Sequence, residues 1–275
     1  MIRKTLLIAI FSLLHIYAED SPFTFIYVDI KTENKIGAFP YSRYIYAEAI
    51  KAASKNGAKA VVLKYFIDEP KDKNSDVKLA ESLLELPVFL QCRLNVPENN
   101  PNELPKNFLS PEINIINSPN ILAGNSGWIP LEILSENCYN VGFVDIYPHK
   151  NNFHIPVIGL YKNFPIKSLP IKIFEFLYSE NIGIENRKLI FRGKSYKLTS
   201  ELEYMFTFPH KERLIKHSFV DLLEDRIDKK ELSGKIVILG YDGPHQAAIK
   251  TPIGELKVHD YFGYVLLGLY DDFTK

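Results

Sequence analysis

Residues that can carry out chemistry stand at or near the ends of apolar segments. Asp29 and Asp145 each end an apolar run, and two carboxylates that converge at strand ends can serve acid–base catalysis. Asp242 and His245 stand three residues apart in the loop after a third apolar run, and His259 follows that loop. With Asp29, these side chains either form a metal or acid–base cluster or are ordinary solvated loop residues. We favour solvated positions and predict no metal site.

Arg43 and the loop Gly240–Pro244 are two further candidates for contact with an anionic ligand. Arg43 begins a predicted helix, where a guanidinium either binds an anion or pairs with a carboxylate or loop carbonyl. The loop, GYDGP, either presents backbone N–H groups to an anion or is a tight turn after a buried strand. For His259 we favour a structural role, with its ring bonded to neighbouring backbone. The candidate ligand-binding residues are Asp29, Arg43, Asp242, His245 and His259.

No short motif in the sequence identifies a reaction. The seven histidines show no HExxH, HxH or paired Cys/His spacing, and the chain has no G-x-S-x-G nucleophile motif. The GYDGP loop also lacks the Rossmann and P-loop patterns. Lysine and arginine total 33, as do aspartate and glutamate, so charge favours neither nucleic acid nor an anionic membrane as partner. We predict a protein without enzymatic activity, cofactor or nucleic-acid partner.

Alternating segments of strand and helix composition must position these residues. Short apolar runs bounded by turn residues predict strands at Phe23–Ile30, Ala60–Phe66, Val88–Leu94, Val141–Tyr147, Phe153–Tyr161 and Lys235–Leu239. Helical spacing predicts helices at Arg43–Lys55, Asp76–Leu86, Leu169–Tyr178, Ser218–Leu223 and Asp260–Leu269, whereas Asn34–Pro40 is predicted as a loop. The polar turn after Tyr147 predicts an antiparallel hairpin. The whole pattern predicts an α/β fold, a single domain whose mixed β-sheet is flanked by helices.

Residues 1–18 differ in composition from the rest of the chain. Basic residues precede an almost wholly apolar run at Leu6–Leu14, and Ala18 precedes two acidic residues. This pattern is typical of a secretory signal peptide, so we predict removal of residues 1–18 and a domain at 19–275, periplasmic or secreted. An uncleaved anchor or a first strand is the alternative. Export permits a disulfide between Cys92 and Cys138, although we favour two small buried thiols.

Several further stretches follow one another in a diagnostic order. They are the strand that ends in Asp29, GAFPYSRYIYAEAIKAASKNGAKAVVL (Gly37–Leu63), the Asp76–Leu83 helix, GFVDIYP (Gly142–Pro148), SLPIKIFEFL (Ser168–Leu177), SFVDLLEDRI (Ser218–Ile227), LSGKIVILG (Leu232–Gly240), TPIG (Thr251–Gly254) and VHDYFGYVL (Val258–Leu266). Together they cover nearly all of residues 23–270 and resemble the CHASE2 module, an extracytoplasmic sensory domain of bacterial membrane receptors. The resemblance implies an exported domain for sensing or binding.

The chain departs from the CHASE2 pattern at polar positions. The family usually carries Asp where Lys64 falls, and Asp-Gly followed by paired arginines where Asn151–His154 stand here. The acidic residue that often lies between the glycine loop and the Thr-Pro of the family is replaced near Ala247. If those polar residues shape a ligand site in relatives, this chain binds something else or nothing. The loop Tyr241–Lys250 is therefore the first region to mutate.

Three functions remain open at this point. In the family, transmembrane helices and a cytoplasmic output domain normally follow the module, whereas only Leu267–Lys275 follow here. The resemblance thus implies a module without its own transmembrane span, which recognises a small ligand or an envelope protein. An exported hydrolase that uses carboxylates at strand ends is the alternative, and a structural envelope component is the third possibility. Convergence of Asp29, Asp145, Asp242 and His259 on one cleft would favour the hydrolase.

Overall fold

A central parallel sheet organises the fold of this chain. The computed structural model describes residues 21–94, 100–115, 120–145, 154–244 and 246–274. Its strands, numbered along the chain, are β1 (Phe23–Val28), β2 (Ala60–Leu63), β3 (Val88–Cys92), β4 (Ala123–Gly124), β5 (Asn140–Phe143), β6 (His154–Pro156), β7 (Ile158–Tyr161), β8 (Phe164–Lys167), β9 (Gly183–Glu185), β10 (Lys188–Phe191), β11 (Lys194–Lys197), β12 (Glu203–Met205), β13 (Lys216–Ser218), β14 (Ile236–Tyr241), β15 (Ala248–Thr251) and β16 (Gly254–Lys257). The α-helices are α1 (Ile30–Ile36), α2 (Arg43–Lys55), α3 (Lys73–Ser82), α4 (Glu132–Ser135), α5 (Leu169–Tyr178), α6 (Phe219–Leu223) and α7 (Val258–Thr274). Single 3₁₀ turns lie at Lys106–Phe108, Lys211–Arg213 and Lys229–Glu231.

Six strands form the central sheet in the order β13–β1–β14–β2–β3–β5, and each neighbouring pair is parallel. β1, β2, β3 and β14 are buried along their whole length. Burial on both faces explains why these strands are continuous apolar runs in the sequence. Antiparallel pairs occur as well, in small separate sheets such as β9–β10–β11 and β15–β16. The predicted α/β class is confirmed, and its antiparallel part lies outside the central sheet.

Helices cover both faces of the central sheet. On the first face, α2, α3, α4 and α6 pack against strand residues such as Ile26 and Leu239. On the second face, α5 and α7 pack against strand residues such as Phe25 and Ile238. Because successive side chains of a strand point to opposite faces, each central strand contributes to both cores. The sheet thus separates two hydrophobic cores that share its backbone.

Capping residues determine where several helices begin. The side chain of Ser42 accepts a hydrogen bond from Tyr44 N, and α2 has the bounds that its apolar spacing predicts. The bounds of α5 also agree with the prediction. Helix α1 occupies part of the segment predicted as a loop. It starts from a cap at Asp29, and its apolar residues Ile30 and Ile36 are exposed. An amphipathic pattern is therefore missing from that helix.

Strand pairing differs in part from the sequence-based prediction. The antiparallel hairpin predicted for Val141–Tyr147 and Phe153–Tyr161 is wrong, since β5 pairs with β3 and β6 pairs with β12. The hairpin was predicted from a local polar turn alone. Pairing with β3 instead buries the apolar side chains of β5 in the central sheet, which a two-stranded hairpin would not do. β1 and β2 run parallel to each other, but they are not neighbours, because β14 lies between them.

The strand connections diverge at the carboxyl end of β14. β1 and β2 are each followed by helices on the first face, whereas β14 leads through the β15–β16 hairpin to α7 on the second face. Neighbouring connections that leave toward opposite faces open a crevice at the strand ends, where α/β sheets bind ligands. Over the part of the chain that the structure describes, no helix has both the length and the apolar character needed to cross a bilayer. The predicted signal peptide lies outside the described residues.

Candidate binding site at the carboxyl ends of β1, β2 and β14

Asp29 joins three elements at the carboxyl end of β1. Its Oδ1 accepts hydrogen bonds from Thr32 N at 2.9 Å, Thr32 Oγ1 at 2.7 Å and Ser218 Oγ at 2.7 Å. Thr32 is fully buried, and its Oγ1 accepts a hydrogen bond from Val220 N at 3.1 Å. The carboxylate therefore caps α1 and ties it to β13 and α6. These bonds give Asp29 a structural role, and contact with a ligand stays a prediction.

Four charged side chains form a compact group just beyond β14. The carboxylate of Asp242 lies 2.7 Å from Lys216 Nζ and 2.6 Å from Lys257 Nζ. Lys216 also lies 3.0 Å from the carboxylate of Asp260 at the start of α7. We refer to these four residues as the Asp242 cluster. They come from β13, the loop after β14, β16 and α7, so the cluster joins the edge strand β13 to the segment that follows β14.

The local environment keeps the Asp242 carboxyl group ionised. Partial burial acts to raise the pKa of Asp242, but hydrogen bonds from Lys216 and Lys257 outweigh it, and the pKa lies below its ordinary value. For Asp260, burial dominates and raises the pKa despite the attraction of Lys216. Equal numbers of positive and negative groups make the Asp242 cluster a neutral network. It can hold the loop in position and offer paired charges to a partner.

His259 is part of the framework beneath this loop. Its Nδ1 accepts a hydrogen bond from Tyr241 N at 2.8 Å, which requires an unprotonated Nδ1. The backbone carbonyl of His259 accepts a second bond from Tyr27 Oη at 2.9 Å. Burial, assisted by nearby Lys64, moves the pKa of His259 well below its ordinary value. The ring is thus a neutral acceptor that connects β14 to α7, a structural role of the kind favoured from the sequence.

Lys64 extends from the carboxyl end of β2 into the second core. It is 4% exposed, and its Nζ lies 3.9 Å from the centroid of the Phe262 ring. Among the described residues, nothing forms a hydrogen bond or ion pair with this amine. Because Leu63 pairs with Leu90, the next residues Lys64 and Gln91 lie side by side on the second face. Gln91 Oε1 is buried and has no hydrogen-bond partner in the part of the chain that the structure describes. Burial lowers the pKa of Lys64 to about 7.

Arg43 does not take part in the Asp242 cluster. Its Nε lies 3.3 Å from Asp76 Oδ1, and its Nη2 donates a hydrogen bond to Glu69 O at 3.0 Å. Both side chains of the ion pair are more than nine-tenths buried. The guanidinium thus holds the start of α2 against α3 and the preceding loop, which is the pairing favoured from the sequence. His245 lies outside the described residues.

The candidate carboxylates do not converge on one cleft. Asp29 and Asp242 are neighbours, because Asp242 N donates a hydrogen bond to Val28 O at 2.8 Å. Asp145 follows β5, three strands from β14, a separation of roughly 14 Å at the usual strand spacing. Its carboxylate accepts a hydrogen bond from Leu94 N at 2.9 Å. Within the described residues, no group of three or more metal-ligating side chains is close enough to hold an ion.

Sequence reasoning missed the lysines of the Asp242 cluster. Lys216 stands in an edge strand of three residues, and Lys257 ends a short hairpin strand. Neither lysine lies near Asp242 in the sequence or belongs to a motif, so only the folded chain brings them together. Lys64 had a sequence signal, since the resemblance had already marked it as a departure from an acidic residue.

Comparison with known proteins shows a family match. The family model described as the CHASE2 domain matches residues 7–267, which is nearly the whole chain. No curated protein matches the sequence. No solved structure matches it either.

Proposed function

The chain belongs to the CHASE2 domain family, and we propose that it acts outside the cytoplasm as a sensory or binding module. The observation that carries this proposal is the state of the polar groups at the crevice. Asp242 is held by two lysines, Asp29 caps a helix, and His259 accepts a backbone hydrogen bond. Groups fixed in this way hold the crevice in one shape and are poorly placed to exchange protons with a substrate.

We assign recognition to the loop after β14 together with the β15–β16 hairpin. Pro244, Ala247, Ala248 and Lys250 are exposed along this segment. Lys257 Nζ donates a hydrogen bond to Asp242 O at 2.7 Å in addition to its ion pair, so the hairpin is anchored on the Asp242 cluster. A small ligand or an envelope protein would contact the exposed side while the cluster holds the segment in place.

The hydrolase alternative has less support from the geometry. It requires carboxylates that share one cleft, whereas Asp145 is separated from Asp242 by the width of β2 and β3. The neutral His259 ring also has its Nδ1 occupied by Tyr241 N. A base in that state must first break a backbone hydrogen bond in order to accept a proton from a substrate. Binding therefore fits the site better than acid–base catalysis.

Export is part of the proposal. The composition of residues 1–18 and the extracytoplasmic character of the CHASE2 family both support a signal peptide that is removed, leaving a domain at 19–275. We expect the mature protein in the periplasm or the medium. Fractionation of cells that produce the full chain, followed by N-terminal sequencing, measures both the location and the cut.

Added negative charge on the exposed side of the loop after β14 and the β15–β16 hairpin tests their role in recognition. A variant that combines Ala247→Glu with Lys250→Glu should fold like the wild type, because both positions are exposed. We expect it to lose at least 10-fold in affinity for a partner captured from the envelope fraction or for a metabolite found by thermal-shift screening. Affinity is measured by calorimetry on purified proteins.

Lys194→Glu is the matched control, since Lys194 is exposed in β11 and lies in a different sheet. This control should bind as tightly as the wild type. If the wild type, the double variant and Lys194→Glu all bound with equal affinity, the β15–β16 region would not be the recognition surface. A defined hydrolytic turnover that depends on Asp29 or Asp242 would instead establish the hydrolase.

A further inference from the structure

A polar cavity lies beside the amino end of β5, the strand at one edge of the central sheet. Its volume is about 440 Å³, and its lining includes Tyr139, Asn140, Lys172, Phe176 and Ser179. We propose that this cavity, the Lys172 pocket, binds a small monocarboxylate whose carboxyl group pairs with the Lys172 amine. The volume lies within the range of small-molecule sites. The proposal goes beyond the recognition role of the β15–β16 region and does not depend on it.

Lys172 brings an ammonium group into the wall of the pocket. The residue is 4% exposed, and its Nζ donates hydrogen bonds to Phe108 O at 2.7 Å and to Asn140 Oδ1 at 2.7 Å. Both acceptors are neutral, and an ammonium has three N–H donors. The described residues supply no third acceptor for this amine, so one donor remains for a ligand. The two hydrogen bonds also hold the amine in place, so the Lys172 side chain loses less conformational entropy when a ligand binds.

Among the buried and half-buried charges around Lys172, one positive group is in excess, whereas the Glu180 carboxylate that also lines the pocket is exposed. Lys167 is buried as well, and it pairs with Glu175. Glu175 Oε1 also accepts a hydrogen bond from Ile182 N at 2.8 Å, so this carboxylate is already engaged. Two buried ammonium groups thus share one carboxylate among the described residues. Burial is the main cause that lowers the pKa of Lys172 to about 8, and the negative charge of Glu175 offsets it only in part.

The walls of the pocket indicate which anion would bind. Tyr139 and Phe176 form an edge-to-face pair with ring centroids 5.1 Å apart, and together they offer an apolar wall. Glu175 and Glu180 also line the pocket, and a second negative charge on the ligand would meet them. A flat or branched apolar body with a single carboxylate satisfies both conditions. Arylcarboxylates are the simplest members of that class.

Calorimetry with benzoate tests the pocket directly. At pH 7 we expect benzoate to bind the full domain, benzamide to bind at least 10-fold more weakly because it lacks the charge, and Lys172→Met to lose benzoate binding. Lys59→Met is the matched control. Lys59 is exposed and is not among the residues that line the pocket, although its Nζ lies 5.3 Å from the centroid of the Phe176 ring. Its removal should therefore change affinity less than 2-fold.

Proton uptake is a second readout that a purely structural lysine would not produce. A bound carboxylate raises the pKa of Lys172, so binding at pH 8.5 should take up a fraction of a proton. Calorimetry in two buffers with different ionisation enthalpies measures that fraction. Asn181→Asp at the exposed mouth adds a negative charge without changing shape, and it should weaken benzoate binding even if Lys172→Met fails to fold.

Three results would overturn the proposal. Absence of benzoate binding at 10 mM by the folded wild type is the first. Equal affinity for benzoate and benzamide is the second, since it would show that no charge pairing occurs. Unchanged binding and proton uptake in both Lys172→Met and Asn181→Asp is the third. None of these results bears on partner binding at the β15–β16 region, which follows the carboxyl end of β14 and shares no residue with the Lys172 pocket.

Discussion

Single residues with unusual environments define what this chain can do. Buried lysines are rare because an ammonium loses its hydration, and a protein normally supplies a carboxylate in return. Arg43 follows this rule through Asp76, and Lys167 follows it through Glu175. Lys64 departs from it, since its amine has only the Phe262 ring as a close partner among the described residues. Burial of Lys64 therefore lowers the free energy of unfolding of the protein.

That cost predicts how stability depends on pH. Burial lowers the pKa of Lys64 from its ordinary value of 10.5 to about 7, so between these values the unfolded chain holds a proton that the folded protein has lost. Stability therefore rises as the pH increases from 7 to 10 and is lowest below pH 7. We expect Lys64→Met to raise the free energy of unfolding at pH 7 by a few kcal/mol and to flatten this rise. Urea unfolding at a series of pH values measures both effects.

Lys194→Met provides the control for that series, because Lys194 is exposed in β11. Its unfolding free energy should follow that of the wild type at every pH. If Lys64→Met were less stable than the wild type at pH 6, Lys64 would have a stabilising partner. The neutral His259 adds acid sensitivity of the same sign, since its depressed pKa means that stability falls further as the pH drops below about 6.5.

Among the helices and strands, β14 and α7 determine the geometry of the crevice. β14 ends with Gly240 and Tyr241, and the backbone there is joined to α7 through His259. The carbonyl of Gly240 also accepts a hydrogen bond from Tyr65 Oη at 2.5 Å. These bonds leave little room beside Gly240. A Cβ at that position would lie 2.7 Å from the Tyr27 ring and 3.1 Å from His259 Nδ1.

Gly240→Ala should therefore disturb the joint between β14 and α7. Tyr27 is 1% exposed and its hydroxyl is bonded to His259 O, so the ring cannot move aside freely. We expect a loss of roughly 1–3 kcal/mol in unfolding free energy, as is usual for overpacking in a core. Denaturant unfolding measures the loss. Hydrogen exchange at Tyr241 N should quicken if the bond to His259 Nδ1 is weakened.

Gly183→Ala tests whether that loss is specific to Gly240. Gly183 lies in β9, and a Cβ there would meet its nearest neighbour, Ile190 Cβ, at an ordinary contact distance of 3.7 Å. We expect this variant to change stability by less than about 0.5 kcal/mol. Equal effects of the two substitutions would show that the tight packing around Gly240 contributes nothing of its own.

At the scale of the whole molecule, two cores on either side of one sheet hold the chain together. Cys92 lies in the first core and Cys138 packs against it, and both are free thiols. Burial raises the pKa of Cys138 to about 12 and raises that of Cys92 further above its ordinary range. Thiols that are buried and protonated react slowly. The folded protein thus protects both cysteines although export would permit their oxidation.

Thiol labelling checks this protection. We expect Ellman's reagent at pH 8 to modify Cys92 and Cys138 only as fast as the protein opens, and a reducing agent to leave the melting temperature unchanged. Labelling in denaturant gives the fully reactive reference. A lower melting temperature on reduction would reveal a disulfide that holds the folded state. Complete labelling within the mixing time in native buffer would show that the first core is open to solvent.

The sequence by itself determined the buried strands, the bounds of α2 and α5, the α/β class and the resemblance to CHASE2 modules. Each rests on a local signal: a continuous apolar run, helical spacing, a cap, or an ordered set of short motifs. Helix α1 escaped prediction because its apolar residues point to solvent, so capping at Asp29 was its main signal.

Only the tertiary structure decided which strands are neighbours and which charges meet. A fully buried apolar strand can pair equally well with several others, so its sequence does not reveal that β14 lies between β1 and β2 or that β5 joins β3. That order brings Lys216 to Asp242 and keeps Asp145 away. Contacts between residues distant in sequence depend on the packing of the whole chain, because both cores must be filled at once.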